Sequence, residues 1–381
     1  MNPSLCEGPG GVLLCAFQDE ALSGRGSTSL YNDQSGRWES VGLPGNASAG
    51  RDWWPKMALD HSGEIFRVNY DYGLDGRLGV RRLDLTSQSN PGWILPFGAA
   101  LSSGQSHTPD LEIDSQNRLI ISYQDGPGGN GASLTQGGIT VLRVNPQTGQ
   151  SVALGHPGFS DDFMPPGLNS VTWHTQVERA ADGTIYAAWS EKAFGNTRNR
   201  LYVARYSEVQ QRWKLIGSPG LDRLAEGINL SLELDASGVP VVAYRGEDPV
   251  SLRVLRWIPG TYDWEQIGDD IAVHDLSLQI GYYGFSPDGG YRESVPFTID
   301  ALGRIYIACR AHDAFGEIRM KTWRFEGAAG WQPLGPHGGF LPGSGDEDYG
   351  FLITSQGTVP VMSCRRRPGS FQEQVVVHRF Y

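Results

Sequence analysis

Apolar and polar positions alternate in short runs along the whole chain, and the runs come in pairs. In each pair, an apolar run is broken by a tight turn rich in Asp and Gly and resumes after it. The copies are MALDHSGEIFRVNY (57–70), LEIDSQNRLIISYQ (111–124), VERAADGTIYAAWS (177–190), LELDASGVPVVAYR (232–245), FTIDALGRIYIACR (297–310) and FLITSQGTVPVMSCR (351–365). A degenerate copy, LCEGPGGVLLCAFQ, begins at Leu5. Period-two alternation with β-branched and aromatic residues predicts strands. The turn residues Gly11, Gly63, Asn117, Gly183, Gly238, Gly303 and Gly357 recur at intervals of about 52 to 66 residues.

A second pattern follows most copies: an alternating strand, a turn, then Trp and Gly at fixed spacing. It gives the pairs Trp38/Gly42, Trp213/Gly217, Trp264/Gly268 and Trp331/Gly335. Each unit is therefore expected to hold four short antiparallel strands. Seven such units predict an all-β fold, a seven-bladed β-propeller of four-stranded antiparallel blades, as one domain over 1–381. Stacking blades radially buries faces that a lone blade cannot cover. An open two-sheet solenoid is the alternative. The last unit stops after its third strand, at VVVHRFY (375–381). Either the ring closes by another strand arrangement or the seventh blade lacks its outer strand.

Composition sharpens this picture. With 51 Gly and 23 Pro spread through 381 residues, a mainly helical protein is disfavoured. No apolar stretch approaches the 18 residues of a membrane span. The net charge of −11 argues against a general nucleic-acid binder, which needs basic surface to displace counterions. No basic-then-apolar leader is visible at the N-terminus. A secreted or periplasmic location is expected if a leader has been removed, and a cytoplasmic one otherwise. Cys6, Cys15, Cys309 and Cys364 form no Cys-x-x-Cys pair, and buried reduced thiols are expected.

In a meander blade, the 2→3 and 4→1 connections share one face of the disc. Those connections are long here, whereas the 1→2 turns are short, which points to function on the long-loop face. Two rings of residues should crown it. One precedes the innermost strands: Trp53, Trp54, His107, Trp173, His174, Asn229, Arg292, Glu293, Glu347 and Asp348. The other ends the second strands: Gln18, Tyr70, Gln124, Ser190, Arg245, Arg310 and Arg365.

Arg245, Arg310 and Arg365 occupy equivalent places in three successive units, with Arg292, Arg366 and Arg367 near in sequence. Guanidinium groups suit bidentate binding of carboxylate or sulfate. Trp53, Trp54, Trp173, Tyr282 and Tyr283 offer flat faces for sugar rings, so an anionic glycan is the expected partner, with a neutral glycan as the variant. His107 and His174 can move protons near neutral pH, and Tyr123 or Tyr291 could complete an acid/base pair. Lyase chemistry on a uronic acid needs charge neutralisation, a base and an acid, which Arg, His and Tyr supply. Glycoside hydrolysis would need paired carboxylates, for which Asp52, Glu293, Glu347 and Asp348 are candidates. No cofactor is called for. Asp161-Asp162, Asp269-Asp270 and Asp346-Glu347-Asp348 are candidate structural Ca²⁺ ligands without a defined loop pattern. GPGGNG (126–131) fits a dinucleotide fingerprint only formally, since it opens no helix.

The strand–D-x-x-G–strand units resemble BNR-type, sialidase-like propellers. YRESVPFTIDALGRIYIACR (291–310) and SHTPDLEIDSQNRLIISYQD (106–125) are similar to segments of BNR-4-type polysaccharide lyases. That resemblance implies His107 as the proton-transferring residue, Arg310 as the carboxylate neutraliser and Tyr291 as the tyrosine partner. Gln124 stands where the family carries a second His. The expected function is a carbohydrate-active propeller that binds an anionic polysaccharide and cleaves it by β-elimination. The alternatives are a non-catalytic lectin or adhesion module and a sialidase-like hydrolase.

Overall fold

The structure, a computed structural model, describes residues 4–84, 92–97, 100–126, 137–163, 170–193, 200–217, 230–245, 251–261, 263–272, 295, 297–312, 318–334, 349–353, 360–366 and 374–379. The strands form antiparallel meanders, each sheet running in sequence order. The first sheet holds Ser4–Glu7, Leu13–Asp19, Arg25–Asn32 and Arg37–Ser40. The second holds Asp52–Leu59, Ile65–Asp71, Arg77–Asp84 and Gly92–Ile94, and the third Ser106–Ile113, Leu119–Asp125, Ile139–Val144 and Ser151–Ala153. The fourth comprises Ser170–Arg179, Ile185–Ala193, Arg200–Ser207 and Arg212–Leu215. The fifth comprises Leu230–Leu234, Pro240–Arg245, Ser251–Trp257 and Trp264–Gln266, with Ile271–Ala272 also pairing Ser251–Trp257. The sixth has Phe297–Ile299, Ile305–His312, Ile318–Phe325 and Trp331–Leu334.

Six sheets thus complete the four-stranded blade, rather than the seven expected. Among the described residues the last sheet holds Tyr349–Ile353, Pro360–Arg366 and Gln374–Arg379. The chain start cannot supply its outer strand, because Ser4–Glu7 pairs with Leu13–Asp19 inside the first sheet. The first strand of each sheet packs against the first strand of the next, and Tyr349–Ile353 adjoins Ser4–Glu7. The ring therefore closes by packing, without a strand shared between the ends.

The repeats have physical causes. In the 1→2 turns, the Asp side chain accepts hydrogen bonds from backbone N–H groups two and four residues ahead. Asp60 binds Ser62 and Glu64, Asp114 binds Gln116 and Arg118, Asp235 binds Ser237 and Val239, and Asp300 binds Leu302 and Arg304. The residue three after Asp takes a positive φ, between 58° at Asn117 and 89° at Gly63 in these turns. Only Gly and Asn adopt that region cheaply.

Apolar clusters fill the joints between neighbouring sheets. Trp189, Tyr202 and Val177 of the fourth sheet pack on Ile120, Ile139 and Val141 of the third. Phe66, Val68 and Leu78 of the second meet Leu119, Ile121 and Tyr123 of the third. Cys6 and Cys15 are buried free thiols, as expected for those two positions. The Trp–Gly spacing is an interlock across these joints. Trp213 of the fourth sheet covers Gly155 and donates its Nε1–H to Leu154 O of the third at 2.7 Å. A Cβ on Gly217 would lie 2.1 Å from Trp264 Nε1 of the fifth sheet, and one on Gly268 would lie 2.7 Å from Trp331 Nε1 of the sixth.

At the hub, side chains four residues before the turn link successive inner strands. Lys56 pairs with Asp110 at 3.7 Å. Asp110 Oδ2 accepts from Val177 N at 3.0 Å. Gln176 Oε1 accepts from Leu232 N, and Ser231 Oγ donates to Val295 O.

The interlock can be tested against a matched control. Gly183 and Gly217 have φ of 90° and 81°, but nothing lies within 4 Å of a Cβ at Gly183. Gly183→Ala is expected to cost about 1–2 kcal/mol of backbone strain. Gly217→Ala should cost about 1–3 kcal/mol more through collision with Trp264. Equal costs in denaturant unfolding would overturn the interlock.

Candidate functional site

The inner strands of the second, third and fourth sheets share one irregularity. Register shifts fall between Trp53 and Lys56, between Asp110 and His107 opposite Ser122 and Gln124, and between Trp173 and Thr175. Each is a one-residue bulge, and its extra residue is left-handed: Trp54 at φ 51°, Thr108 at 44° and His174 at 43°. For bulky or branched residues this backbone is costly and uncommon. Bulges re-aim side chains and cluster near functional sites. Here they sit at the strand ends that meet the long 4→1 connections, in three consecutive sheets.

The bulges gather the residues singled out from the sequence around the second and third sheets. His107 stacks on Tyr70 with ring centroids 4.9 Å apart and 23° between planes. Trp54 meets both edge-on, at 5.8 Å from His107 and 5.9 Å from Tyr70. Trp53 contacts Trp54 at 5.4 Å and is half-buried. Around them lie buried polar atoms without a hydrogen-bond partner among the described residues: Trp53 Nε1, Ser106 Oγ, His107 Nε2, Thr108 Oγ1, His174 Nε2 and Thr175 Oγ1. Buried polar groups in folded proteins are nearly always satisfied, so these atoms call for water or a ligand to complete their hydrogen bonds.

Burial sets the protonation of this group. It pushes the His107 imidazole down to about 4. Burial first, then the Lys56 charge, pushes His174 down to about 3. Both are neutral at pH 7 and able to accept a proton. Burial raises the Tyr70 hydroxyl well above its ordinary value, helped by Tyr72, so it stays protonated.

Beside the bulge of the second sheet lies a buried charged cluster that reaches the first sheet. Arg67 and Asp52 pair with both side chains fully buried, and Arg81 binds Asp71 at 2.8 Å. Arg67 also reaches Thr28 Oγ1 of the first sheet at 3.2 Å. Asp52 is therefore committed to Arg67 and is unavailable as a hydrolytic carboxylate. Asp19, Asp71 and Asp125 end the second strands of three successive sheets, and Glu191 holds the corresponding place near the end of Ile185–Ala193. They serve as anchors: Asp71 accepts from Ala49, Gly50 and Gly73 N–H, Asp125 from Thr140 Oγ1 and Glu191 from Trp189 Nε1. A carboxylate one position after Gln18, Tyr70, Gln124 and Ser190 is the signal in the sequence. Deeper at the hub, burial and mutual repulsion raise the carboxyl pKa of Glu112, Glu178 and Glu233.

Other expected residues are placed differently. Tyr123, opposite the Thr108 bulge, is 3% exposed in the apolar core between the second and third sheets. Arg245 is buried at the end of its strand. Arg310 and Arg365 hold the equivalent strand positions, and Trp173 pairs with Ser190. Their side chains, and all of Tyr282, Tyr283, Tyr291, Asn229, Arg292, Glu293, Glu347, Asp348 and Arg367, lie outside the described residues. Of the acidic pairs considered for Ca²⁺, Asp162 binds His156 and Asp270 binds Arg253, while 346–348 lie outside the described residues. Among the described residues no group of three His, Cys, Asp or Glu is placed to hold a metal ion, and no helix is long and apolar enough to cross a membrane.

No family model and no curated protein matches the chain. Solved structures match it at low identity. A puromycin hydrolase is similar with a TM-score of 0.60 and 14% identity over 99% of this chain and 52% of that one, so this chain spans about half its length. A polysaccharide lyase of family PL25, an ulvan lyase bound to -[GlcA(1-4)Rha3S]-, gives a TM-score of 0.60 and 12% identity over 97% of this chain and 89% of that one. A fungal alcohol oxidase of the AA5 family, in complex with copper, gives 0.53 and 12% over 96% and 69%. At such identities the matches show the fold alone: this is an all-β propeller of four-stranded antiparallel blades.

The protonation states predict opposite pH responses. His107 falls from an unfolded value of 6.5 to about 4 when folded, so its contribution is full above 6.5 and is lost as pH falls toward 4. Glu178 is raised above its ordinary 4.5, so it costs stability as pH rises past that value. His107→Phe should flatten the acid limb of the stability curve. Glu178→Gln should raise the melting temperature at pH about 8 and leave it nearly unchanged at pH about 4. The reverse pattern in thermal melts would contradict both assignments.

Proposed function

We propose that this propeller binds an anionic polysaccharide at its bulged mouth and cleaves it by β-elimination. The observation that carries the reading is the set of three consecutive bulges with orphaned buried polar atoms around a stacked His107–Tyr70 pair. Neutral His107 takes the proton from C5 of a uronate. The C5 electrons form the C4–C5 double bond, the C4–O4 bond breaks, and protonated Tyr70 supplies a proton to the departing oxygen. Arg245 neutralises the substrate carboxylate, with Arg310 and Arg365 at the equivalent strand positions. Tyr70 takes the part first expected of Tyr291. His174, neutral and in a neighbouring bulge, positions the sugar or shares the proton transfer. The reading is supported by a fold match to a lyase that holds a glucuronate-containing glycan.

The test is incubation with a panel of uronic-acid polysaccharides, following the ultraviolet absorbance of the unsaturated product. His107→Ala is expected to abolish turnover, and Tyr70→Phe to lower kcat by about a hundredfold or more. Binding without product would make the protein a lectin. New reducing ends without unsaturation would make it a hydrolase. Full activity in both variants would remove the assigned roles.

A further inference from the structure

Beside the His107–Tyr70 pair, the second sheet carries an aromatic surface that the cleavage step does not use. Tyr72 is 53% exposed, an unusual state for a large aromatic side chain on a rigid segment. It starts the short 3-10 helix Tyr72–Leu74, in the 2→3 connection on the mouth face. Its ring lies 6.1 Å from Trp53 and 5.0 Å from Tyr70. The exposed Arg51 guanidinium sits over Trp53, 5.4 Å from the ring centre.

The segment is braced from beneath. Tyr72 N donates to Arg51 O at 3.0 Å. Asp71 clamps Ala49, Gly50 and Gly73 through their backbone N–H groups. The two backbones touch so closely that a Cβ on Gly50 would lie 2.3 Å from Gly73 N. Tyr72 is thus held out toward solvent at little entropic cost on binding, because its loop is already fixed.

We propose that Tyr72, Trp53 and Arg51 form an adjoining subsite for a further uronate of the same chain, next to the sugar at the scissile bond. The Tyr72 ring stacks on a sugar face, and Arg51 meets the carboxylate. The proposal rests on the glycan reading above and specifies it as recognition of more than one uronate of an acidic polymer.

The experiment measures affinity by calorimetry for alginate, polygalacturonate and glucuronan, each beside its carboxyl-reduced form. Binding of the wild type to at least one acidic polymer is expected. Tyr72→Ala should weaken that binding about tenfold, the scale of one aromatic contact. Tyr72→Phe should retain it, since the ring and not the hydroxyl makes the contact. Arg51→Gln should erase most of the preference for the acidic over the carboxyl-reduced polymer. If the wild type binds and both Tyr72→Ala and Arg51→Gln bind equally well, the subsite is wrong and the glycan reading stands. If the wild type binds none of the polymers, the glycan reading fails and the subsite falls with it.

Discussion

A sheet that ends at the hub leaves one column of backbone N–H and C=O groups without a partner strand, and leaving such groups buried and unpaired is costly. This protein answers that column from the neighbouring sheet. Asp110 reaches Val177 N, Gln176 reaches Leu232 N, and Ser231 reaches Val295 O, all from the same strand position. Lys56 extends the series one sheet back by pairing with Asp110. The chemistry differs at each step while the geometry is kept. These contacts set how far each inner strand stands from the next, and so fix the mouth that the bulges decorate. At the rim the same spacing is kept by tryptophan rings seated on glycines.

The mouth is built by disturbing that regular hub. One extra residue in each of three inner strands lifts Trp54, Thr108 and His174 out of the alternating pattern. The backbone strain, about 1–3 kcal/mol per site, is carried by the ladders below, which resume normal pairing within a residue or two. The buried pairs Asp52–Arg67 and Asp71–Arg81 lie directly behind the second sheet's bulge. Removing one partner of such a pair typically costs about 3–5 kcal/mol. That stiffness favours a site whose rings are held ready.

The blades were legible because their signals are local. Asp at the turn start, Gly or Asn three residues on, and Trp before Gly each reflect a contact within a few residues or across one joint. The mouth was legible only in part. His107, Tyr70 and Trp53 were identified as mouth residues from their strand-end positions. Tyr123 lies opposite the Thr108 bulge and packs in the core, and a left-handed Thr108 gives no sign in sequence. Tyr72 was missed since it follows the strand end, where a short helix rather than the ladder decides its direction. Nothing in the sequence sets Arg67 and Arg81 apart from other strand charges, and only the packing around the second sheet shows that they are enclosed.

The closure of the ring carries a consequence of its own. Tyr349–Ile353 meets Ser4–Glu7 as every other inner strand meets its neighbour, by apposition and without a shared ladder. The inner strands of the first and last sheets therefore adjoin as those of the other sheets do, and the order of sheets along the polypeptide is not what makes the circle. A polypeptide cut at another joint and rejoined here would have the same wheel to build.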